Sequence, residues 1–171
     1  MAISKRKRGA SGLSHVDARG KAAMVDVSGK PETVREAVAR GTLTLSREGF
    51  DAVAANRVAK GDVLTVAKIA GVQAAKRTSS LIPLCHPIPL DHIAVEATLD
   101  EARCRIEFEA STRTRSSTGV EMEALTAVAV AGLAAYDMVK AVDRTAVLSD
   151  IRLVRKSGGR SGRFERPGER K

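Results

Sequence analysis

Several short stretches bring together residue types that can move protons or hold anions. Lys60 precedes Gly61 and Asp62, at the start of a segment with helical spacing. A helix N-terminus leaves backbone N–H groups pointing outward and favours anions. Tyr136-Asp137-Met138-Val139-Lys140 puts a carboxylate and an amine three residues apart, hence on one helix face. That pair reads either as a surface ion pair of little energetic weight or as a coupled acid–base pair with pKa values moved toward neutrality. Leu84-Cys85-His86 lies between Pro83 and Pro87, with Pro89 beyond, so a stiff loop displays a thiol and an imidazole. Cys85 reads as a small buried filler or as part of a site, and His86 as a hydrogen-bonding group for a substrate. Neighbouring side chains rarely meet productively, so a Cys–His nucleophile pair is disfavoured. With no further His or Cys nearby, so is zinc.

Two more stretches complete the set. Gly119-Val120-Glu121-Met122-Glu123 opens an apolar helix with two carboxylates, which either complement the helix dipole or face a ligand. Lys156-Ser157-Gly158-Gly159-Arg160-Ser161-Gly162 offers donors to a phosphate or serves as a linker, and lacks Walker A spacing. Lys68, Lys76 and Arg77 add positive charge along the segment after Lys60.

The elements that must position these residues follow from periodicity. Residues 24–28 read as extended, with a turn at Gly29, Lys30 and Pro31. In residues 33–45 the second half reads as a strand, with Ser46 capping a following helix. Asp62 caps a helix predicted to run to Lys76. Residues 81–90 form the proline-stiffened loop. Residues 93–99 and 104–110 alternate and flank a turn, a hairpin. Thr118 and Gly119 open a long helix to about Val142, and from Leu125 to Ala135 its only polar residue is Thr126. Residues 147–154 form a last strand. The order is β-α-β-β-α-β, the pattern of a ferredoxin-like α+β domain with an antiparallel sheet packed by helices.

Composition narrows the function classes. The 171 residues suit one domain. Aromatic residues make up 2%, with no Trp, so the core is aliphatic and rich in Ala. Such a core buries little area per side chain, which favours association with further copies. The formal net charge is +9, yet residues 22–151 hold 15 basic and 17 acidic residues. The basic excess lies at the two ends, which argues against a nucleic-acid reader with a basic folded face. We expect a disordered basic arm over 1–20, one α+β domain over 21–157 and a flexible basic tail over 158–171. Cys85 and Cys104 lack CxxC spacing, as in a reducing cytosol. Neither a secretory signal nor a membrane span is expected.

The stretches Lys60-Gly61-Asp62, residues 67–78, Leu81-Ile82-Pro83-Leu84-Cys85-His86-Pro87, residues 119–126, Tyr136-Asp137-Met138 and Lys156-Ser157-Gly158-Gly159 together resemble the MoaC family of cyclic pyranopterin monophosphate synthases, over about residues 20–164. The resemblance implies a cytoplasmic lyase acting on 3′,8-cyclo-7,8-dihydro-GTP in molybdenum-cofactor biosynthesis. It releases cyclic pyranopterin monophosphate and pyrophosphate. It also implies a homohexamer, a trimer of dimers, with active sites between subunits. No cofactor is required, and Mg²⁺ is an optional companion of the triphosphate. By the same resemblance Asp137, Lys60 and Lys140 are catalytic. Leu84, Cys85, His86, Met122 and Glu123 contact substrate, and Glu121 and Lys156 lie in or near the pocket. Arg160 stands where some relatives are expected to have Lys, which keeps the charge and alters the geometry. Two rival readings, a nucleic-acid binder using the basic ends and a purely structural assembly protein, leave the proline-braced loop and the Lys60 stretch unexplained.

Overall fold

The structure, a computed structural model, describes residues 22–169. Strand β1 (Thr33–Thr44) leads into helices α1 (Arg47–Ala54), α2 (Val63–Ala75) and the single turn α3 (Thr78–Leu81). The hairpin β2 (His92–Asp100) and β3 (Arg105–Ser116) follows, then α4 (Glu121–Val139), β4 (Val147–Ser157) and the short β5 (Phe164–Glu165). The sheet order is β2-β3-β1-β4-β5, every neighbouring pair antiparallel. Its first four members give the ferredoxin-like α+β arrangement expected from the element order.

Local chemistry sets the element boundaries. Ser46 accepts from the Gly49 N–H at 3.1 Å and starts α1. Asp62 accepts from the Thr65 N–H at 3.0 Å and starts α2. In the hairpin, Asp100 accepts from the Arg103 N–H, and Cys104 takes a left-handed φ of 47° to turn the chain back. The whole of residues 33–44, rather than its second half, is strand. β1 is paired on both sides, with Thr33 opposite Ser116 at its far end, so ladder hydrogen bonds carry it past its weak alternation. Helix α4 is shorter than expected, stopping at Val139, where the Val142 and Asp143 N–H groups both return to the Val139 carbonyl. Residues 24–28 contain no regular element, and the turn at Gly29 is present. The stiff loop is preceded by α3, whose last residue is Leu81. Within the segment read as a tail, β5 pairs with β4. Residues 1–21, where the basic arm was expected, lie outside the described residues.

Helices α2 and α4 cover one face of the sheet. Leu43, Ile106 and Phe108 meet Val128, Val139 and a run of alanines at Ala124, Ala127, Ala131 and Ala135, all buried. By length and composition α4 could cross a membrane, but ten of its 19 residues are buried in this domain. Small residues set its distance from its neighbours. A Cβ on Gly71 of α2 would lie 2.9 Å from the Ala127 carbonyl oxygen, and one on Gly41 of β1 would lie 2.7 Å from Val128 Cγ1.

Gly71→Ala therefore pits two effects against each other. It gains up to about 1 kcal/mol of helix propensity, and it forces two packed backbones apart at ~1–3 kcal/mol. The expected outcome is a lower urea midpoint. An unchanged or higher midpoint would show that α2 and α4 can separate freely.

Candidate active site

The two ends of α4 carry two different groups of candidate residues. At its C-terminal end, Asp137 lies between two ammonium groups. Lys60 Nζ donates to Asp137 Oδ2 at 2.6 Å and to the Asp137 backbone carbonyl at 2.9 Å, and Lys140 Nζ is 2.7 Å from Oδ1. The last carbonyls of a helix lack intrahelical partners and carry the negative end of its dipole, so two cations are favoured there. Lys60 reaches this point from the α1–α2 loop, which Val58 and Val63, both buried, anchor to the core. Gly61 takes a φ of 100°, which favours glycine after Lys60. The far side is held by Asp143, whose buried carboxylate accepts from the Ser46 N–H at 2.6 Å and the Thr145 N–H at 2.9 Å.

Lys140 and Lys60 hold the Asp137 carboxyl down at about 2, and Asp137 in turn raises the Lys140 ammonium. Of the two readings of the Asp137–Lys140 pair, these shifts match an exposed ion pair and run opposite to movement toward neutrality. All three side chains are about half exposed, so burial, which would have opposed the charged forms, is outweighed by two short hydrogen bonds. At neutral pH Asp137 and Lys140 are both charged.

The other group gathers at the N-terminal end of α4. A cavity of about 300 Å³ is lined by Leu84, Cys85, His86, Thr118, Glu121, Met122 and Glu123, with Val25, Val27 and Lys30 closing it. The proline-braced loop is pinned to β3. Thr114 Oγ1 donates to the Pro89 carbonyl at 2.6 Å, and Asp91 accepts from the Arg115 N–H at 2.8 Å. Thr112 Oγ1 donates to the Val120 carbonyl and fixes the start of α4 on the same strand. His86 Nε2 donates to the Val25 carbonyl at 2.8 Å. Glu123 is 4% exposed, and burial, aided by the charge of Glu121, pushes its carboxyl up to about 7. Burial and Glu123 both raise the Cys85 thiol, which disfavours a thiolate nucleophile. Glu121 is paired with Lys156 at 2.7 Å.

This cavity continues into a groove of about 880 Å³ lined by Lys30, Arg35, Glu121, Lys156, Gly158, Gly159 and Arg160, among others. Arg35 and Lys30 were not singled out from the sequence. Arg35 had a readable signal, since it shares the helix-facing parity of Ala37, Ala39 and Leu43 on β1. Its guanidinium donates to the Ser116 and Ser117 carbonyls. Lys68, by contrast, pairs with Glu96 and joins neither group. Among the described residues no three His, Cys, Asp or Glu side chains cluster as metal ligands.

The predicted residues thus assemble as two sites rather than one. Glu121 and Asp137 are sixteen positions apart on α4, about 24 Å along the axis.

The MoaC family sequence model matches residues 24–159. The chain belongs to the MoaC family. Among its MoaC relatives is a cyclic pyranopterin monophosphate synthase of Pelotomaculum thermopropionicum, 57% identical over 159 residues, which cover 93% of this chain and 94% of that protein. Proteins of the same name from Roseiflexus sp. strain RS-1 (57% over 154 residues) and Cereibacter sphaeroides strain KD131 (56% over 155 residues) cover 90% and 91% of the chain. Each match covers 98% of the relative.

The raised Glu123 has a consequence for stability. Its folded pKa lies above the ordinary carboxylate value, so folding favours the protonated form. That stabilisation is complete below about pH 4.5 and is lost as pH rises through about 7. Relative to Glu123→Gln, the wild-type Tm is expected to fall by a few degrees between pH 5 and pH 8, the size that ~1–2 kcal/mol produces in a domain of this length. Parallel Tm curves for the two proteins would place Glu123 in water.

Proposed function

We propose that this chain converts 3′,8-cyclo-7,8-dihydro-GTP into cyclic pyranopterin monophosphate and pyrophosphate, as a phosphorus–oxygen lyase of molybdenum-cofactor biosynthesis. What carries the reading is likeness along nearly the whole chain to synthases of that name, with all ten candidate residues gathered into two polar groups. The two unlinked thiols accord with a cytoplasmic setting.

Each group supplies part of the chemistry. The reaction opens and rebuilds a purine-derived ring system, then closes a cyclic phosphate as pyrophosphate leaves. The rearrangement needs proton transfers, and the departing pyrophosphate needs cations. In our reading Lys60 and Lys140 serve a triphosphate end, and Asp137 holds them aligned and takes part in proton transfer once substrate loosens the ion pairs. Leu84, Cys85, His86, Met122 and Glu123 shape the cavity that takes the ring system. Glu121 and Lys156 border it, and Mg²⁺ is an optional companion of the triphosphate.

The separation of about 24 Å along α4 is too great for one small substrate to bridge within a protomer. We therefore place the working site between two protomers of a homo-oligomer, a hexamer built as a trimer of dimers. The Lys60–Asp137–Lys140 trio of one protomer meets the His86–Glu123 cavity of its partner. A two-fold interface makes two such composite sites.

Incubation with the cyclised GTP intermediate is expected to release pyrophosphate and to give a fluorescent pterin after oxidation; no product under turnover conditions would end the assignment. Lys60→Ala, Asp137→Ala and Lys140→Ala are each expected to lower turnover at least ~10³-fold while the protein stays folded. Full activity in any one removes that residue from the mechanism. The interfacial arrangement is tested by co-expressing Lys60→Ala with His86→Ala. Random pairing leaves about a quarter of composite sites intact, so activity near that fraction is expected, whereas no recovery would place both groups in one protomer's site.

A further inference from the structure

The C-terminal segment does more than leave the domain. After β4 ends at Ser157 the chain makes a loop through Gly158, Gly159 and Gly162, all at positive φ. It then returns as β5, pairing Phe164 with Lys156 and Glu165 with Arg155. Arg166 strengthens the return, its N–H donating to the Val154 carbonyl at 2.8 Å and its Nε to the Leu153 carbonyl at 2.7 Å. Three residues on, the Glu169 carboxylate meets two guanidinium groups on the sheet face opposite the helices. Arg40 NH1 is 3.0 Å from it, and Arg152 donates through both Nε and NH2. The Glu169 side chain is 13% exposed, against 50% or more for several surface carboxylates such as Asp51. A bidentate Arg–carboxylate pair at that exposure holds its geometry far better than a solvated surface pair.

The loop this fastening closes is the one that borders the groove. Gly159 packs directly against the Arg35 guanidinium, and Gly158 against the Val34 carbonyl, with no room for a Cβ at either. Lys156 Nζ donates to Glu121 at 2.7 Å and to Ser161 Oγ at 3.3 Å, so the loop also touches the amine it is meant to present. Three glycines give this stretch little stiffness of its own. A two-residue strand gives it little more, and terminal segments stay ordered only where they are tied down. Beyond the two Arg166 bonds, the side-chain tie here is Glu169.

We propose that Glu169 is a positioning residue. By clamping Arg40 and Arg152 it straps β5 to the sheet edge and thereby holds the residue 158–162 loop, with Lys156, in place over the groove. The inference rests on the reading above, in which Lys156 and this loop border the substrate. The strap lies beyond Gly159, where the family match ends.

The test compares the full-length protein with Glu169→Ala, Glu169→Gln and Glu169→Asp. Two readouts are needed: hydrogen exchange of the 158–166 amides, and KM and kcat for the cyclised GTP intermediate. Glu169→Ala and Glu169→Gln are expected to speed exchange in 158–166 at least ~10-fold, while amides of β1 and β3 keep wild-type rates and so report an intact domain. KM is expected to rise ~5- to 10-fold with kcat within ~2-fold. Glu169→Asp, which keeps the charge, restores part of both. Unchanged exchange in both neutral variants overturns the strap, whatever the kinetics. Faster exchange with unchanged KM overturns the positioning role. A wild-type protein with no activity, whose 158–166 amides are still released by Glu169→Ala, sinks the assigned reaction and leaves the strap standing.

Discussion

Helix α4 is apolar on every side from Leu125 to Ala135 apart from Thr126, so it gains from being covered, and the fold covers most of it while leaving Leu133 exposed. The sheet closes one side through Leu43, Ile106 and Phe108, and α2 closes another through a contact that Gly71 makes possible. Because the middle of α4 has no polar partner to offer, its polar side chains are confined to its ends. That confinement sets the functional layout. One end faces the Lys60 loop and the other faces the proline-braced loop, and no rotation of the helix could bring the two polar groups closer.

Helix capping, hairpin alternation and the β-α-β-β-α-β order were legible because each depends on residues close in the chain. Asp62, Ser46 and the apolar run of α4 illustrate this. What periodicity missed depends on partners. β1 extends through Thr33 because β3 runs alongside it, and Thr33 gives no hint of Ser116 83 positions later. β5 is two residues long and exists because β4 offers an unpaired edge and Glu169 finds Arg40 and Arg152. The site was legible as a set of residues and not as a shape. Asp137 and Lys140, and Glu121 and Glu123, follow from helical spacing. That Lys60 joins the first pair and Lys156 the second comes from the tertiary fold. Arg35 went unnoticed because one basic residue in a weakly alternating strand looks solvated until its parity is tied to Ala37 and Ala39.

The two sites also show how little residue type says about protonation. Asp137 and Glu123 lie on the same helix. Asp137 at the C-terminal end is half exposed and bound by two ammonium groups, and its carboxyl falls to about 2. Glu123 in the first turn should be favoured as an anion by the helix dipole, at ~0.3–1 kcal/mol. It is instead buried beside Glu121, whose own charge is matched by Lys156 rather than shared with it, and its carboxyl rises to about 7. Desolvation outweighs the dipole because a buried carboxylate loses several kcal/mol of hydration, more than a helix terminus returns.

Under the proposed function this contrast would divide the acid–base work. Near neutral pH Asp137 and Lys140 stay charged in the free protein, within the Lys60–Asp137–Lys140 trio. It is a preset arrangement of charge, suited to holding phosphate oxygens without reorganisation. Glu123 changes protonation where the enzyme would operate, and it sits in the cavity that would take a ring system undergoing proton transfers. A group can deliver and recover protons with least penalty when its pKa lies near the working pH, whereas a carboxyl held at about 2 by two lysines can do so only after one of those ion pairs is broken. An incoming triphosphate competes for the same two ammonium groups. In the proposed composite site its arrival would free Asp137, so that binding the anion and releasing the base would be one step, with the partner's Glu123 across the interface.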